Sequence, residues 1–225
     1  TDADVARVHE GARPAGEMVT ARAGMQHLRV RVAGRAAHAG VEPEQGRSAV
    51  LEAAHLTVSL SAFAERRDGV SINVGEVHGG TRPNIVPAEA TLTLDIRTTS
   101  VAEQDAVEAD IRALVAKPSV PDTTATVEVL ARSRPMERSP AAAAFAAMAV
   151  AVAARLGFKL SESSTRGASD GNTTAGAGVP TLDGLGADGG RRHSPDEYLE
   201  LGSIAPRTAW LAAMLAEIDL RSSSK

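Results

Sequence analysis

Cysteine is absent from this 225-residue chain. That excludes disulfide bridges and thiolate metal sites, so any metal must be held by His, Asp or Glu. No apolar run approaches the ~20 residues of a membrane-spanning helix, and the start lacks the basic and apolar regions of a secretory leader. Neither a membrane partner nor a leader is therefore expected, and the cytoplasm is the expected compartment. Aromatic residues make up only 2% of the chain, the formal net charge is −4 and the pI is about 5.9. A chain without a basic field, and without Arg or Lys clusters alternating with aromatics, is not expected to bind nucleic acid. What is present is 43% hydrophobic residues, enough for the core of one large or two small domains.

Periodicity predicts the elements. Two short strands, at residues 5–9 and 17–22, flank the turn-forming Gly-Ala-Arg-Pro-Ala-Gly. Residues 26–35 alternate apolar and polar side chains, the period of a half-buried strand. From 47 to 64, Val50, Leu51, Ala54 and Val58 recur at helical spacing and mark a predicted apolar face. Strands at 70–77 and 90–98 follow, then a helix to about 116 that Ser100 and Glu103 open as a capping box. A strand at 125–131 completes the order βαββαβ, in which two helices can cover one face of a four-stranded antiparallel sheet, the split-βαβ or ferredoxin-like arrangement. Beyond it, Ser139-Pro140 opens an alanine-rich helix to Leu156, apolar nearly all round and so expected to be buried on several sides. Ser169 can cap a short helix from Asp170, residues 179–185 read as a strand, and a helix at 204–220 closes the chain.

Several residues could carry chemistry, and each also has a plain structural reading. His193 ends the glycine-rich loop after the predicted strand 179–185, the edge of an α/β sheet where ligands bind, although a lone loop histidine is commonly just solvated. Glu10, beside a turn, reads by pattern as solvated. His38 sits among small residues in Gly34-Arg35-Ala36-Ala37-His38-Ala39-Gly40, which let another chain or ligand approach closely. Asn84, in Arg82-Pro83-Asn84-Ile85-Val86-Pro87, reads as a turn former. Arg97 and Arg134 could clamp a carboxylate with a planar guanidinium or form surface ion pairs, and Asp95 is expected to partner a neighbouring basic side chain. Ser169-Asp170 reads as a helix cap, whose backbone N–H groups could also face an anion.

Taken together, Val-His-Glu-Gly-Ala-Arg-Pro at 8–14, the Gly-x-Ala-x-His-Ala-Gly motif, Asn-Ile-Val-Pro and Gly-Ala-Asp-Gly-Gly-Arg-Arg-His-Ser-Pro-Asp-Glu-Tyr resemble the two-zinc exopeptidase and amidohydrolase family. That family includes glutamate carboxypeptidases, aminoacylases and succinyl-diaminopimelate desuccinylase. The resemblance implies an α+β, ferredoxin-like lid or dimerisation domain at 24–134, inserted in an α/β zinc-exopeptidase catalytic domain represented by 1–23 and 135–225. It implies Glu10 and His193 as ligands of one zinc, in a site that in the family holds two. It also implies that His38 stabilises the oxyanion across a homodimer, and that Asn84, Arg97, Arg134, Ser169 and Asp170 lie near substrate. Gly11 departs from the family pattern, which often has proline there.

The implied activity is hydrolysis of an amide bond next to a free carboxylate, in a small peptide or N-acyl amino acid. Aminoacylase or desuccinylase chemistry is the close alternative. A two-zinc hydrolase also needs a bridging carboxylate and a glutamate base. The family's His-x-Asp and Glu-Glu pairs do not occur in this sequence, so the chain is expected to be an N-terminally truncated portion, inactive alone and exposing apolar surface where strands are missing. A non-catalytic dimerisation module and a generic ferredoxin-like ligand-binding domain are the competing readings.

Overall fold

The computed structural model describes residues 4–222. The chain divides into two compact units, residues 24–133 and the combination of 1–23 with 134–225. Among the described residues, no helix is long and apolar enough to cross a membrane.

In the unit at 24–133, β3 (Gly24–Ala33), α1 (Ala49–Ala64), β4 (Ser71–Gly79), β5 (Glu89–Thr98), α2 (Val101–Val115) and β6 (Thr124–Ser133) follow in order. The strands form one four-stranded sheet ordered β4-β5-β3-β6, antiparallel at every pairing. Alternation along β3 and β5 sends Leu28, Val30, Val32, Leu92, Leu94 and Ile96 to the buried face, where they pack with α1 and α2. The opposite face carries polar partners such as His27 opposite Asp95, the pattern of an antiparallel sheet with one solvated side.

The helix α1 starts where Ser48 accepts the Leu51 N–H, but it is turned away from the expected face. Its buried residues are Ala49, Glu52, Ala53, Leu56 and Leu60, whereas Leu51 and Val58 are 51% and 70% exposed. The two stripes lie about one residue apart, roughly 100° of helix rotation. The inner one tolerates Glu52 because its carboxylate accepts the Val120 N–H at 2.7 Å. Ser100 caps α2 by accepting the Glu103 N–H, but the Glu103 carboxylate pairs with Arg67 at 3.0 Å and leaves the expected capping box half built.

The second unit contains β1 (Ala6–Arg7), β2 (Met18–Arg22), α3 (Pro140–Arg155), β7 (Glu162–Thr165), α4 (Asp170–Gly176), β8 (Thr181–Leu182), the short ribbon β9 (Gly189–Gly190) with β10 (Tyr198–Leu199), and α5 (Leu201–Ser222). β1 pairs in parallel with β8, and β2 with β7. Of the strand expected at 179–185, only Thr181–Leu182 has ladder pairing, although residues 181–185 are all buried. The alanine-rich α3 buries a single face, Ala142, Phe145, Ala146, Ala149, Val152 and Ala153, against Trp210 and Met214 of α5. Ala141, Ala144, Ala147 and Ala151 are not buried, because an alanine methyl carries too little apolar area to force burial on every side.

Asn172 closes this unit at the two points where the chain crosses its boundary. Its amide donates to the carbonyls of Ala23 at 3.1 Å and Arg134 at 2.8 Å, while its Oδ1 accepts the Ser169 N–H in a capping box. Replacing Asn172 by Ala strands two carbonyls and a helix cap, and should cost the unit about 2–4 kcal/mol in urea unfolding.

Candidate functional site

Glu10 and His193 both follow the paired strands β1 and β8 in the chain. Past the strand ends the two segments stay stitched together: Leu185 N–H donates to Val8 O, Gly186 N–H to Glu10 O at 2.8 Å, and Ala12 N–H to Ala187 O at 3.0 Å. The Arg192 guanidinium then crosses to the carbonyls of Gly11 and Ala12, the latter at 2.8 Å. Glu10 and His193 are exposed. His193 has φ of 63° and Arg191 of 55°, a left-handed conformation that is uncommon for residues with a side chain and concentrates at functional sites. The loop is bracketed by the β9–β10 ribbon, where Gly190 leaves room for the Tyr198 ring. Carboxylate and imidazole are apt zinc donors. Among the described residues, however, no group of three or more His, Asp or Glu side chains gathers to hold a metal.

Two buried polar clusters, of whose members only Ser169 was marked by the sequence, support this loop. From α5, Arg207 donates to the carbonyls of Gly186, Gly16 (2.9 Å) and Gly184 (2.9 Å). It also lies 3.3 Å from Asp188 and stacks over Trp210. Burial pushes its pKa below the usual arginine value, opposed by Asp188. Behind the strand end, Asp183 is fully buried and accepts Arg22 Nε at 2.6 Å as well as the Ser169 hydroxyl. The only sequence signal for Asp183 was an acidic residue inside an apolar run, since its partner Arg22 lies far off in the chain. Ser169 is therefore committed to Asp183 and to capping α4, while Asp170, the first residue of α4, is exposed. The stem of Arg134 lies beside Gly176, where an added Cβ would meet it at 3.3 Å.

In the unit at 24–133, His38 and Asn84 come together through their backbones. Ala39 N–H donates to Asn84 O at 3.0 Å, Val86 N–H to Ala37 O at 2.9 Å, and His38 bridges Ile85. The loop is anchored by Gly34, whose N–H donates to Ala88 O at 2.7 Å and where a side chain would collide with Arg47 O. His38 Nδ1 accepts the Gly40 N–H at 3.2 Å, which assigns the proton of the neutral ring to the other nitrogen, Nε2. A cavity of about 580 Å³ lies beside this loop, lined in part by Ala36, His78, Thr81, Ile85, Pro87 and Glu89.

Arg97 grips Asp95 fork to fork, Nε to Oδ1 and Nη2 to Oδ2 both at 2.7 Å, and His27 Nε2 lies 3.0 Å from the same carboxylate. The Arg97 bonds hold the Asp95 pKa below its ordinary value against a partial desolvation cost, with His27 adding to the lowering.

Residues 20–123 match the model of the peptidase dimerisation domain. Carboxypeptidase G2 of Pseudomonas sp. (strain RS-16) is 29% identical over 195 residues, 85% of this chain and 46% of that protein. One component of the p-aminobenzoyl-glutamate hydrolase of Escherichia coli (strain K12) is 46% identical over 68 residues, 30% of this chain and 16% of that protein. The crystal structure of the aminopeptidase PepT from Bacillus cereus ATCC 10987 superposes with a TM-score of 0.80 at 22% identity, covering 97% of this chain and 58% of that one. These matches show a mixed α/β chain whose relatives are peptidases and amidohydrolases. More narrowly, residues 20–123 carry a peptidase dimerisation domain of the M20 type, and the chain spans about half the length of carboxypeptidase G2.

Replacing Arg207 by Met leaves three carbonyls without their donor and Asp188 without its cation, so chemical unfolding should show a loss of about 3 kcal/mol or more. Asp95 should titrate below 3.8 by carboxyl-carbon NMR and move upward in Arg97→Gln. Because its folded pKa is depressed, its contribution to stability is present above the unfolded value and lost as pH falls through the folded one. Partial exposure keeps that contribution small.

Proposed function

We propose that the protein is a zinc-dependent hydrolase of an amide bond next to a free carboxylate, of the glutamate carboxypeptidase type, acting on a small peptide or N-acyl amino acid. The observation that carries the reading is the stitching of the Glu10 segment to the His193 loop beyond the paired strands β1 and β8. This brings an acidic residue and an imidazole from opposite ends of the chain onto neighbouring backbone. Glu10 and His193 are the residues that would hold metal. A zinc ion in such a site supplies Lewis acidity and a hydroxide-like water near neutral pH.

The other roles fall to the chain's own side chains. His38, with its proton on Nε2, is a donor for the developing oxyanion, an interaction that removal of a single donor typically shows to be worth about 3–4 kcal/mol. Asn84, tied to the same loop, would orient substrate. Arg134 would hold the substrate carboxylate, and Arg97 could do so only by exchanging its Asp95 partner. Ser169 and Asp170 would form part of the wall near α4. The bridging carboxylate and the glutamate base must come from outside these 225 residues, as no His-x-Asp or Glu-Glu pair occurs within them.

The βαββαβ order and the strand order β4-β5-β3-β6 support reading 24–134 as a ferredoxin-like lid between catalytic portions at 1–23 and 135–225. Exposed Val50, Leu51 and Val58 of α1, with Val77 of the edge strand β4, support a homodimer formed through this lid. An apolar stripe beside an unpaired strand edge is a self-association surface. Dimerisation would deliver His38 to the partner's site. A non-catalytic dimerisation module is the second reading, favoured by the absence of a three-ligand metal cluster among the described residues.

The test uses the full-length gene product with an N-acylglutamate as substrate. Glu10→Gln and His193→Ala should each lose bound zinc and at least ~100-fold in kcat/KM. His38→Ala should keep its zinc and lose roughly 100- to 1,000-fold in kcat. Val50→Asp/Leu51→Asp should run as a monomer in light scattering. Unchanged zinc content and rate in the first two variants would remove Glu10 and His193 from the metal site, and a parent protein with neither bound zinc nor a measurable rate would leave the dimerisation module as the better reading.

A further inference from the structure

Arg192 belongs to no role assigned above, yet its guanidinium spans from the His193 loop to the segment that follows Glu10. It donates to Gly11 O and to Ala12 O. Around it run two backbone bonds between the same segments, Gly186 N–H to Glu10 O and Ala12 N–H to Ala187 O. Both bonds leave one terminal nitrogen, Nη2, whose two N–H groups can serve two successive carbonyls at once. On the opposite side of the contact, an added Cβ on Gly11 would sit 2.9 Å from Arg192 Nη2 and 3.5 Å from Ala187 O. The first distance is too short for a real contact and the second is ordinary. A side chain at position 11 therefore fits only if the guanidinium, the far end of a flexible side chain, moves aside.

We infer that Arg192 is a positioning residue for His193, and that Gly11 and Arg192 form a matched pair: the missing side chain at 11 makes room for the guanidinium that clamps the two segments of the candidate metal site together. The inference also explains the residue at 11. A proline ring or any larger side chain there would displace the clamp. The left-handed backbone of Arg191 and His193, on either side of Arg192, is braced within the loop by Ser194 Oγ donating to Arg191 O at 2.6 Å and His193 N–H donating to Glu197 at 3.3 Å, and the clamp ties that braced loop to the segment after Glu10. Its functional meaning rests on the reading of Glu10 and His193 as metal ligands, whereas the clamp itself does not.

Native-state hydrogen exchange separates the two. In the 225-residue chain, the Ala12 and Gly186 amides should exchange about 10-fold faster in Arg192→Gln and in Gly11→Ala than in the parent. Arg192→Lys, which keeps N–H donors but on a shorter side chain without the planar guanidinium, should fall between. The double variant Gly11→Ala/Arg192→Gln should be no faster than Arg192→Gln alone, because both changes remove the same contact. Amides inside α3, such as Ala149, should be unaffected, which separates loss of the clamp from general destabilisation. Unchanged exchange at Ala12 and Gly186, or additive effects in the double variant, would overturn the inference.

A second arm titrates Zn2+ into the full-length gene product. The affinity should fall about 10-fold in Arg192→Gln and recover partly in Arg192→Lys, the range over which groups supporting metal ligands usually act. Parent-like Zn2+ affinity in Arg192→Gln would overturn the positioning role for His193. If instead Glu10→Gln and His193→Ala leave Zn2+ affinity unchanged, the metal reading and the positioning role fall together, while the exchange arm still decides whether the Gly11–Arg192 clamp exists.

Discussion

A carboxylate sealed from water organises the unit that holds both termini. Asp183 is fully buried and Arg22 nearly so, and a pair in that setting costs several kcal/mol in desolvation that only dense hydrogen bonding offsets. The bonding is present: Asp183 takes Arg22 Nε and the Ser169 hydroxyl, and Arg22 also reaches Gly167 O at 2.9 Å. One buried pair thereby fixes the end of β2, the start of α4 and the strand β8 in mutual register. Removing either partner would strand an uncompensated charge.

Around that pair, the loops beyond the strand ends are held by guanidinium groups donating to carbonyls. Arg207 collects Gly16, Gly184 and Gly186, and Arg192 collects Gly11 and Ala12. Irregular backbone near a site leaves carbonyls without ladder partners, and arginine satisfies several of them from one rigid fork. Glycine recurs beneath these contacts for a steric reason. At Gly186 a Cβ would press on the carbonyls of His9 and Glu10 at 2.9 Å, so the close approach of the two segments and the glycine-rich composition of the loop are a single fact.

Much of the secondary structure was legible in the residues. The alternation at 26–35 became β3, the caps at Ser100, Ser139 and Ser169 open α2, α3 and α4, and the acid–base neighbours Asp95 and Arg97 do pair. The inward face of α1 was not legible. Ala49, Ala53 and Glu52 look less apolar than Val50, Leu51 and Val58, yet the sheet takes the first group, because close helix packing favours small side chains and a single hydrogen bond admits Glu52. Among candidate site residues, the motifs drew attention to Glu10, His38, Asn84 and His193. Arg192 stands inside the motif that ends in His193 but nothing gave it a contact, nothing pointed to Arg207, and little to Asp183, because their partners are distant in the chain.

Local rules act between residues a few positions apart, so the sequence by itself determined the elements of the βαββαβ segment, the serines that cap α2, α3 and α4, and which short motifs carry histidine and acid, but not the short strands β7, β9 and β10. Tertiary structure decided which helix face turns inward, which carbonyls arginine must satisfy, and that the segment after Glu10 lies against the loop before His193. Those outcomes depend on packing and desolvation between segments far apart in the chain, which no local pattern encodes.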